Sequence, residues 1–119
     1  EGLIALAATV YLETMGRRGL QEVAYQCAQK AAYAARRIGE VEGFSIPFSA
    51  PRFNEFVVRA PRNAIDLLTE LATDHNITGG LPLARYFPDR DSDFLVCVTE
   101  TNSRAEIDAL ADGLALITR

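Results

Sequence analysis

The stretch that decides the fold lies near the end of the chain, where residues 94–106 read FLVCVTETNSRAE. The run Phe94–Val98 is apolar at every position, which predicts a central β-strand that is covered on both faces. Ser103 and Glu106 then form the Ser-x-x-Glu pattern of a capping box, which predicts the start of a helix. The apolar stripe of that helix consists of Ile107, Leu110, Leu114 and Ile117.

Upstream of this strand, the spacing of apolar residues predicts three further helices. The first covers about Leu3–Thr14, and a second, amphipathic helix covers about Leu20–Ile38 and ends at Gly39. Asn63 is a suitable N-cap for a third helix over about residues 64–74.

Two short strands are predicted between the second and third helices. Apolar residues alternate with others over residues 44–48, and a better strand covers residues 53–59, so the pair is compatible with a hairpin. Residues 77–93 mix Gly, Pro, aromatic and charged residues, which predicts a long irregular loop. We therefore expect an α+β fold with a small antiparallel or mixed sheet and helices mainly on one face.

The first predicted helix is unusual because it has almost no polar face. Residues 3–14 read LIALAATVYLET, in which only Thr9, Glu13 and Thr14 are polar. A helix of this kind is buried on most sides, and one small domain covers only one of them. Gly16 fits a helix stop. We therefore expect residues 1–16 to be a helix that connects to something outside this chain, and residues 17–119 to form the domain itself.

Composition and charge exclude several classes of protein. The net charge is −4, and the basic residues are scattered, which argues against nucleic acid as a partner. No run reaches the roughly 20 apolar residues of a membrane span, so we expect no membrane association. Cys27 and Cys97 lie in apolar stretches, which predicts two buried free thiols and a cytoplasmic location, with a disulfide as the alternative.

The chain offers little for catalysis. Its single histidine, His75, lies at a helix end, where it is better explained as a partner of the helix dipole than as a base or ligand. Cys, His and carboxylate residues are not spaced as metal ligands. We therefore predict no catalytic, cofactor-binding or metal-binding residue in this chain.

Two segments are candidates for an interface or an active-site-facing surface. Asn54 and Glu55 are adjacent polar residues in an apolar strand, and an edge strand with a solvated face is the alternative reading. Gly79 and Gly80 open the segment GGLPLARYFP, where a turn that needs positive φ is the alternative. The same segment carries Arg85 and Tyr86, an arginine fork beside an aromatic ring, and an ordinary surface arginine is the alternative there.

Five segments in a consistent order carry a resemblance to a known family. These are GLIALAATVYL at 2–12, QKAAYAARRI at 29–38, FNEFVV at 53–58, GGLPLARYFP at 79–88 and LVCVTETNSRAEID at 95–108. Together they resemble subunit 1 of glycine decarboxylase, the P-protein of the glycine cleavage system, over nearly the whole chain. The sequence departs from the family at Ala84, where a Gly is expected, and at Phe87, where a second Tyr is common.

The resemblance implies a fold-type-I enzyme dependent on pyridoxal phosphate, of which this chain resembles the C-terminal small domain with its connecting helix. It implies that the cofactor is held outside this chain and that the Schiff-base lysine belongs to subunit 2. The implied reaction decarboxylates glycine and passes the aminomethyl group to the lipoyl arm of the H-protein. Lys30, the only lysine here, lies near the polar face of a helix and is a poor candidate for a Schiff base.

By the same resemblance, Thr99 and Glu100 at the end of the last strand are further candidates to face a ligand or partner, by analogy of fold. The implied role is structural, and we expect the isolated chain to be inactive. Two alternatives stay open at this stage. One is a free-standing regulatory module that binds a small ligand, and the other is an interaction domain that dimerises through the first helix.

Overall fold

The computed structural model describes residues 1–118, which form three helices and a three-stranded sheet. The elements are α1 (Gly2–Gly39), β1 (Glu55–Arg59), α2 (Ala64–His75), β2 (Leu81–Pro82), β3 (Asp93–Cys97) and α3 (Arg104–Leu116), with a 3₁₀ turn at Leu83–Arg85.

The sheet is antiparallel throughout and has the order β1-β3-β2. In β1, Glu55 lies opposite Cys97 and Arg59 lies opposite Asp93. The central position predicted for the last strand is therefore confirmed. The hairpin considered for residues 44–48 and 53–59 does not form, because residues 44–48 contribute only one isolated bridge, between Ser45 and Arg59. A proline at position 47 lacks the N–H that a continued ladder would need.

All three helices pack on one face of the sheet, as the sequence predicted. The residues that point to this face are buried, namely Phe56, Val58, Phe94 and Val96. They meet a cluster that includes Ala31, Ala34, Ala35 and Ile38 of α1, Leu67 and Leu71 of α2, and Ile107 and Leu114 of α3. The alanines of α1 let its backbone approach the sheet closely.

The opposite face of the sheet is only partly covered by the described residues. Leu95 is half-buried and Cys97 is exposed, although both belong to the apolar run of the central strand. The prediction of a strand covered on both faces is therefore wrong for this chain alone. The prediction of two buried thiols fails for the same reason, since only Cys27 is buried.

Helix α1 is interrupted at Gly16, whose φ of 59° and ψ of −178° are not helical. The predicted stop at this glycine is confirmed, but the helix resumes at once instead of at Leu20. The N-terminal segment, residues 2–15, is exposed along nearly its whole length, with Leu3 at 80% and Leu6 at 60% of full exposure. No helix in the described range is long and apolar enough to cross a membrane.

The caps of the other helices agree with the sequence. Asn63 Oδ1 accepts from the amides of Ile65 at 2.9 Å and Asp66 at 3.3 Å, and both bonds of the Ser103–Glu106 capping box are present. Residues 77–93 are more ordered than predicted, because they contain β2 and the 3₁₀ turn. A two-residue strand has too few positions to show an alternation of apolar residues.

Candidate functional site

A groove of about 520 Å³ lies where the end of β3 meets the segment 77–81 and the start of α3. We call it the sheet-end groove. Three of the predicted interface residues line it, Glu55, Gly79 and Gly80. Asn54 lies beside the groove, because its carbonyl accepts from Val98 N at 2.8 Å and its Nδ2 lies 3.8 Å from Cys97 Sγ.

The two glycines are required by close packing beside the groove. A Cβ on Gly80 would lie 2.4 Å from the carbonyl oxygen of Leu95, and Gly80 has a φ of +154°. A Cβ on Gly79 would lie 2.7 Å from Leu71 Cδ2. The pair therefore lets the segment leave α2 and pair directly with β3, so its first role is in the backbone path.

Thr99 and Glu100 follow β3 but do not line the groove. The Thr99 amide donates to Asn102 Oδ1 at 2.9 Å. Glu100 instead reaches α1, where Cys27 Sγ donates to Glu100 Oε2 at 3.3 Å and Lys30 Nζ donates to the Glu100 carbonyl. The strand end is thus fastened to α1, and the pKa of the Cys27 thiol is raised, first by burial and then by the bond to Glu100. The thiol is therefore protonated and a poor nucleophile.

Arg85 and Tyr86 lie away from the groove, at the 3₁₀ turn and its end. Both side chains are exposed, and the Tyr86 amide donates to the Leu83 carbonyl at 2.9 Å. The structure therefore separates the predicted interface residues into three places. These are the groove with Asn54 beside it, the strand end at 99–100, and the exposed turn at 85–86.

The groove has a largely aliphatic lining that includes a few side chains that accept hydrogen bonds. Its lining includes the carboxyl groups of Glu55 and Glu106 and the amide of Asn102, and its described lining holds no lysine, arginine or histidine. The pKa of Glu106 is lowered, first by the backbone amide of Ser103 and then by the Ser103 hydroxyl. The carboxylate of Glu106 favours donor groups over anions at this end of the groove.

One buried charge cluster was missed by reasoning from sequence. Asp93 is 1% exposed and accepts from Arg59 at 2.8 and 3.0 Å and from Arg90 at 3.0 Å. Its pKa is lowered, chiefly by the hydrogen bonds from Arg59. The cluster exists because Arg59 lies opposite Asp93 in the β1–β3 register, and that register was not predicted. The cluster joins the end of β1 to the start of the central strand β3 through charge-assisted hydrogen bonds.

Lys30 and the first turns of α2 and α3 have hydrogen-bond partners within the described residues. Lys30 Nζ donates to the Glu100 carbonyl. The Asn63 side chain accepts from the amides of Ile65 and Asp66, and the Ser103 side chain accepts from the amide of Glu106. No group of three or more His, Cys, Asp or Glu residues within 1–118 is placed to hold a metal ion.

The fold is shared with solved structures. A crystal structure of glycine decarboxylase (P-protein) of the glycine cleavage system, in inhibitor-bound form, matches with a TM-score of 0.80 and 28% identity. The match covers 91% of this chain and 24% of that chain. A structure of MppP soaked with the product 2-ketoarginine matches in fold, with a TM-score of 0.72 and 19% identity over 90% of this chain and 31% of that one. The class is thus an α+β domain that forms one part of larger chains.

The sequence comparisons show which family this domain comes from. The profile of the glycine cleavage system P-protein family matches residues 1–114. Two relatives, each called probable glycine dehydrogenase (decarboxylating) subunit 1, are 42% identical in Desulfitobacterium hafniense and 43% identical in Sorangium cellulosum. Each match covers 98% of this chain and 26% of the relative. The chain belongs to the P-protein family, and it spans about a quarter of the length of these curated relatives.

Proposed function

We propose that this chain serves as the C-terminal small domain of a subunit 1 of glycine dehydrogenase (decarboxylating). In this proposal residues 1–16 connect residues 17–119 to a large domain. The observation that carries it is the match of 98% of this chain to 26% of a relative with that name. The exposed apolar side chains of the N-terminal segment support it, because contiguous apolar surface of this kind marks a contact.

The parent enzyme in this proposal decarboxylates glycine and transfers the aminomethyl group to the lipoyl group of H-protein, in the cytoplasm and together with subunit 2. Pyridoxal phosphate, held outside this chain, would supply the electron sink for the decarboxylation. The chain's own contribution is to shape and support the parent. The largely aliphatic lining of the groove, and the position of Lys30 outside it beside the Glu100 carbonyl, support a structural or interface role.

The interface in this proposal has two parts. The first consists of the sheet-end groove and the strand end beyond it, with Asn54, Glu55, Gly79, Gly80, Thr99 and Glu100. The second is the exposed turn that carries Arg85 and Tyr86. Both parts are surfaces that the described residues leave open to a neighbouring domain or subunit.

A chimera tests the proposal. This chain would replace the corresponding C-terminal quarter of the Desulfitobacterium hafniense subunit 1, expressed with subunit 2 and assayed with H-protein for glycine-dependent exchange of carbon dioxide. We expect the chimera to assemble and to retain activity. With Leu3→Asp and Leu6→Asp it should fail to assemble, because two charges would enter the contact between helix and large domain.

The matched control carries Thr14→Asp and Gln21→Asp, two exposed polar positions, and should assemble normally. A chimera that folds but never assembles or works would contradict the proposal. Separately, the isolated chain is titrated with pyridoxal phosphate and followed by absorbance. A saturable band near the visible edge that disappears in Lys30→Gln would show that the chain itself holds the cofactor, against the proposal.

A further inference from the structure

A second pocket, of about 470 Å³, lies between α1 and the start of α3. We call it the basic pocket. Its lining includes Lys30, Arg36 and Arg104 around the ring of Tyr33, and no carboxylate in the described range lines it. Only Ile107 is shared with the sheet-end groove, whose lining has the opposite charge.

The Tyr33 ring is the fixed centre of this pocket. The guanidinium carbons of Arg36 and Arg104 lie 5.4 Å and 5.1 Å from its centroid, within the range of cation–π attraction. The Tyr33 hydroxyl donates to Asp108 Oδ1 at 2.6 Å and accepts from Arg104 Nε at 3.2 Å. Both guanidinium groups are therefore held against one anchored ring.

The positive charge of the pocket is poorly balanced within the described residues. Lys30 donates to a neutral carbonyl oxygen, and neither Lys30 nor Arg36 forms a salt bridge among residues 1–118. Arg104 lies 3.7 Å from Asp108, but that carboxylate is already bonded by Tyr33 and by Arg37 at 3.0 Å. The carboxylates near these cations are therefore already engaged: Asp108 by Tyr33 and Arg37, and Glu106, whose charge interacts with Lys30, by the Ser103 amide.

We propose that the basic pocket binds an oxyanion group, a phosphate or a carboxylate. Guanidinium groups bind both through paired N–H donors, and an ammonium group adds a point charge. The proposal goes beyond the assigned family role, and it concerns a surface that the isolated chain already presents.

The test is a titration of the 119-residue chain, followed by NMR through the arginine Nε–H signals and the backbone amides of 29–37 and 103–108. The probes are inorganic phosphate and a hexaglutamate peptide, each at constant ionic strength against sodium chloride. We expect saturable shifts at Arg36 and Arg104. Saturable shifts with phosphate but not with the peptide would indicate that the pocket binds a free anion. Saturable shifts with the peptide but not with phosphate would indicate that it binds an acidic side chain of a partner.

Arg36→Gln with Arg104→Gln should weaken binding about tenfold or more, since two charge-assisted contacts are lost. The control, Arg17→Gln with Arg18→Gln, removes the same charge at two exposed arginines and should leave binding unchanged. If the first double variant unfolds, Arg36→Gln alone replaces it, because that side chain is exposed. Shifts that neither probe saturates, or that both double variants weaken equally, would overturn the proposal.

Discussion

The two halves of α1 are both rich in apolar residues and have opposite surroundings. Beyond Gly16, the residues Ala31, Ala34 and Ile38 are completely buried against the sheet. Before Gly16, the N-terminal segment exposes apolar side chains as large as Ile38, among them Leu3 and Leu6. Burial therefore follows from the spacing of a stripe and the presence of a partner surface, and hydrophobicity alone does not produce it. The first half has the composition of a buried helix, but the described residues offer it no surface to pack against.

The second half can pack because its stripe is made of small residues on one face. Alanine at 31, 34 and 35 lets the helix approach the sheet, while the polar face carries Arg37, which bonds Asp108 and Asp112 of α3. The first half has apolar side chains on all sides, which suits contact with several neighbours at once. We infer that residues 17–118 are stable without the N-terminal segment.

The largest expected effect is a difference in the free energy of unfolding between two Leu→Ala substitutions, one in the buried core and one in the exposed N-terminal segment. Leu71→Ala removes a side chain that is completely buried beside Gly79 and beside Gly113 of α3, and should lower the free energy of unfolding by about 2–5 kcal/mol. Leu6→Ala, in the N-terminal segment, should change it by less than about 0.5 kcal/mol. Urea denaturation of both variants measures the difference. Equal losses would mean that the N-terminal segment is part of the same core.

Glycine substitutions give the next largest contrast. Gly80→Ala adds a Cβ 2.4 Å from the Leu95 carbonyl oxygen at a φ of +154°, and should cost about 2–4 kcal/mol through strain and overlap. Gly2→Ala meets nothing within 4 Å and should gain at most about 1 kcal/mol. Thermal unfolding of both variants checks the pair. A neutral Gly80→Ala would show that β2 does not pair with β3 as described.

Acid stability should depend on Asp93. Its pKa is lowered in the folded chain, chiefly by Arg59, so its contribution is present above the ordinary carboxyl pKa of about 4 and is lost as the pH falls through the lower folded value. Asp93→Asn should lower the free energy of unfolding at neutral pH by about 1.5–3 kcal/mol. It should also make the loss of stability between neutral and acidic pH, which we call the acid limb, less steep. Glu106 and Asp108 also have lowered pKa values, so part of the slope remains.

The control for this prediction is Asp89→Asn, which removes an exposed carboxylate in the loop before β3. It should leave both the neutral stability and the acid limb unchanged. The measurement is the free energy of unfolding in urea from pH 2 to pH 7. An unchanged acid limb in Asp93→Asn would contradict the role assigned to the Arg59–Asp93–Arg90 cluster.

The smallest effect on stability is expected in the N-terminal segment. Leu3→Lys with Leu6→Lys should leave unfolding unchanged within about 0.5 kcal/mol but reduce self-association, because it interrupts the exposed apolar surface. Thr9→Lys with Thr14→Lys, at polar positions of the same segment, is the matched control. Sedimentation velocity over a range of concentrations separates the two. Self-association that survives both pairs would place the contact elsewhere.

The helices and their caps could be predicted from the sequence because their signals are local. Asn63 lies directly before an apolar stripe, and Ser103 lies three residues before Glu106. Strand pairing could not be predicted in the same way. Glu55–Arg59 pairs with Asp93–Cys97, far along the chain, whereas the sequence favoured the nearer residues 44–48. Such long-range choices depend on the whole sheet and leave no local pattern.

The candidate site was predictable only in part, for a related reason. Glu55 and the two glycines lie together because β1 and β2 flank the same central strand. Glu100 turns away to α1, and Arg85 lies on a separate turn, which no spacing in the sequence indicated. The basic pocket joins residues of α1 to Arg104 of α3 and was not predicted. Sites formed between distant elements become visible only once the packing is known.

Hydrogen–deuterium exchange of the isolated chain tests the central claim most directly, because it compares the two halves of α1 in one molecule. We expect amides of 2–15 to exchange rapidly at low concentration, since a short helix without partners is marginal in water. Amides of 31–38 should be protected close to the global free energy of unfolding. Equal protection of both halves in the monomer would contradict the claim that residues 17–118 hold the core alone.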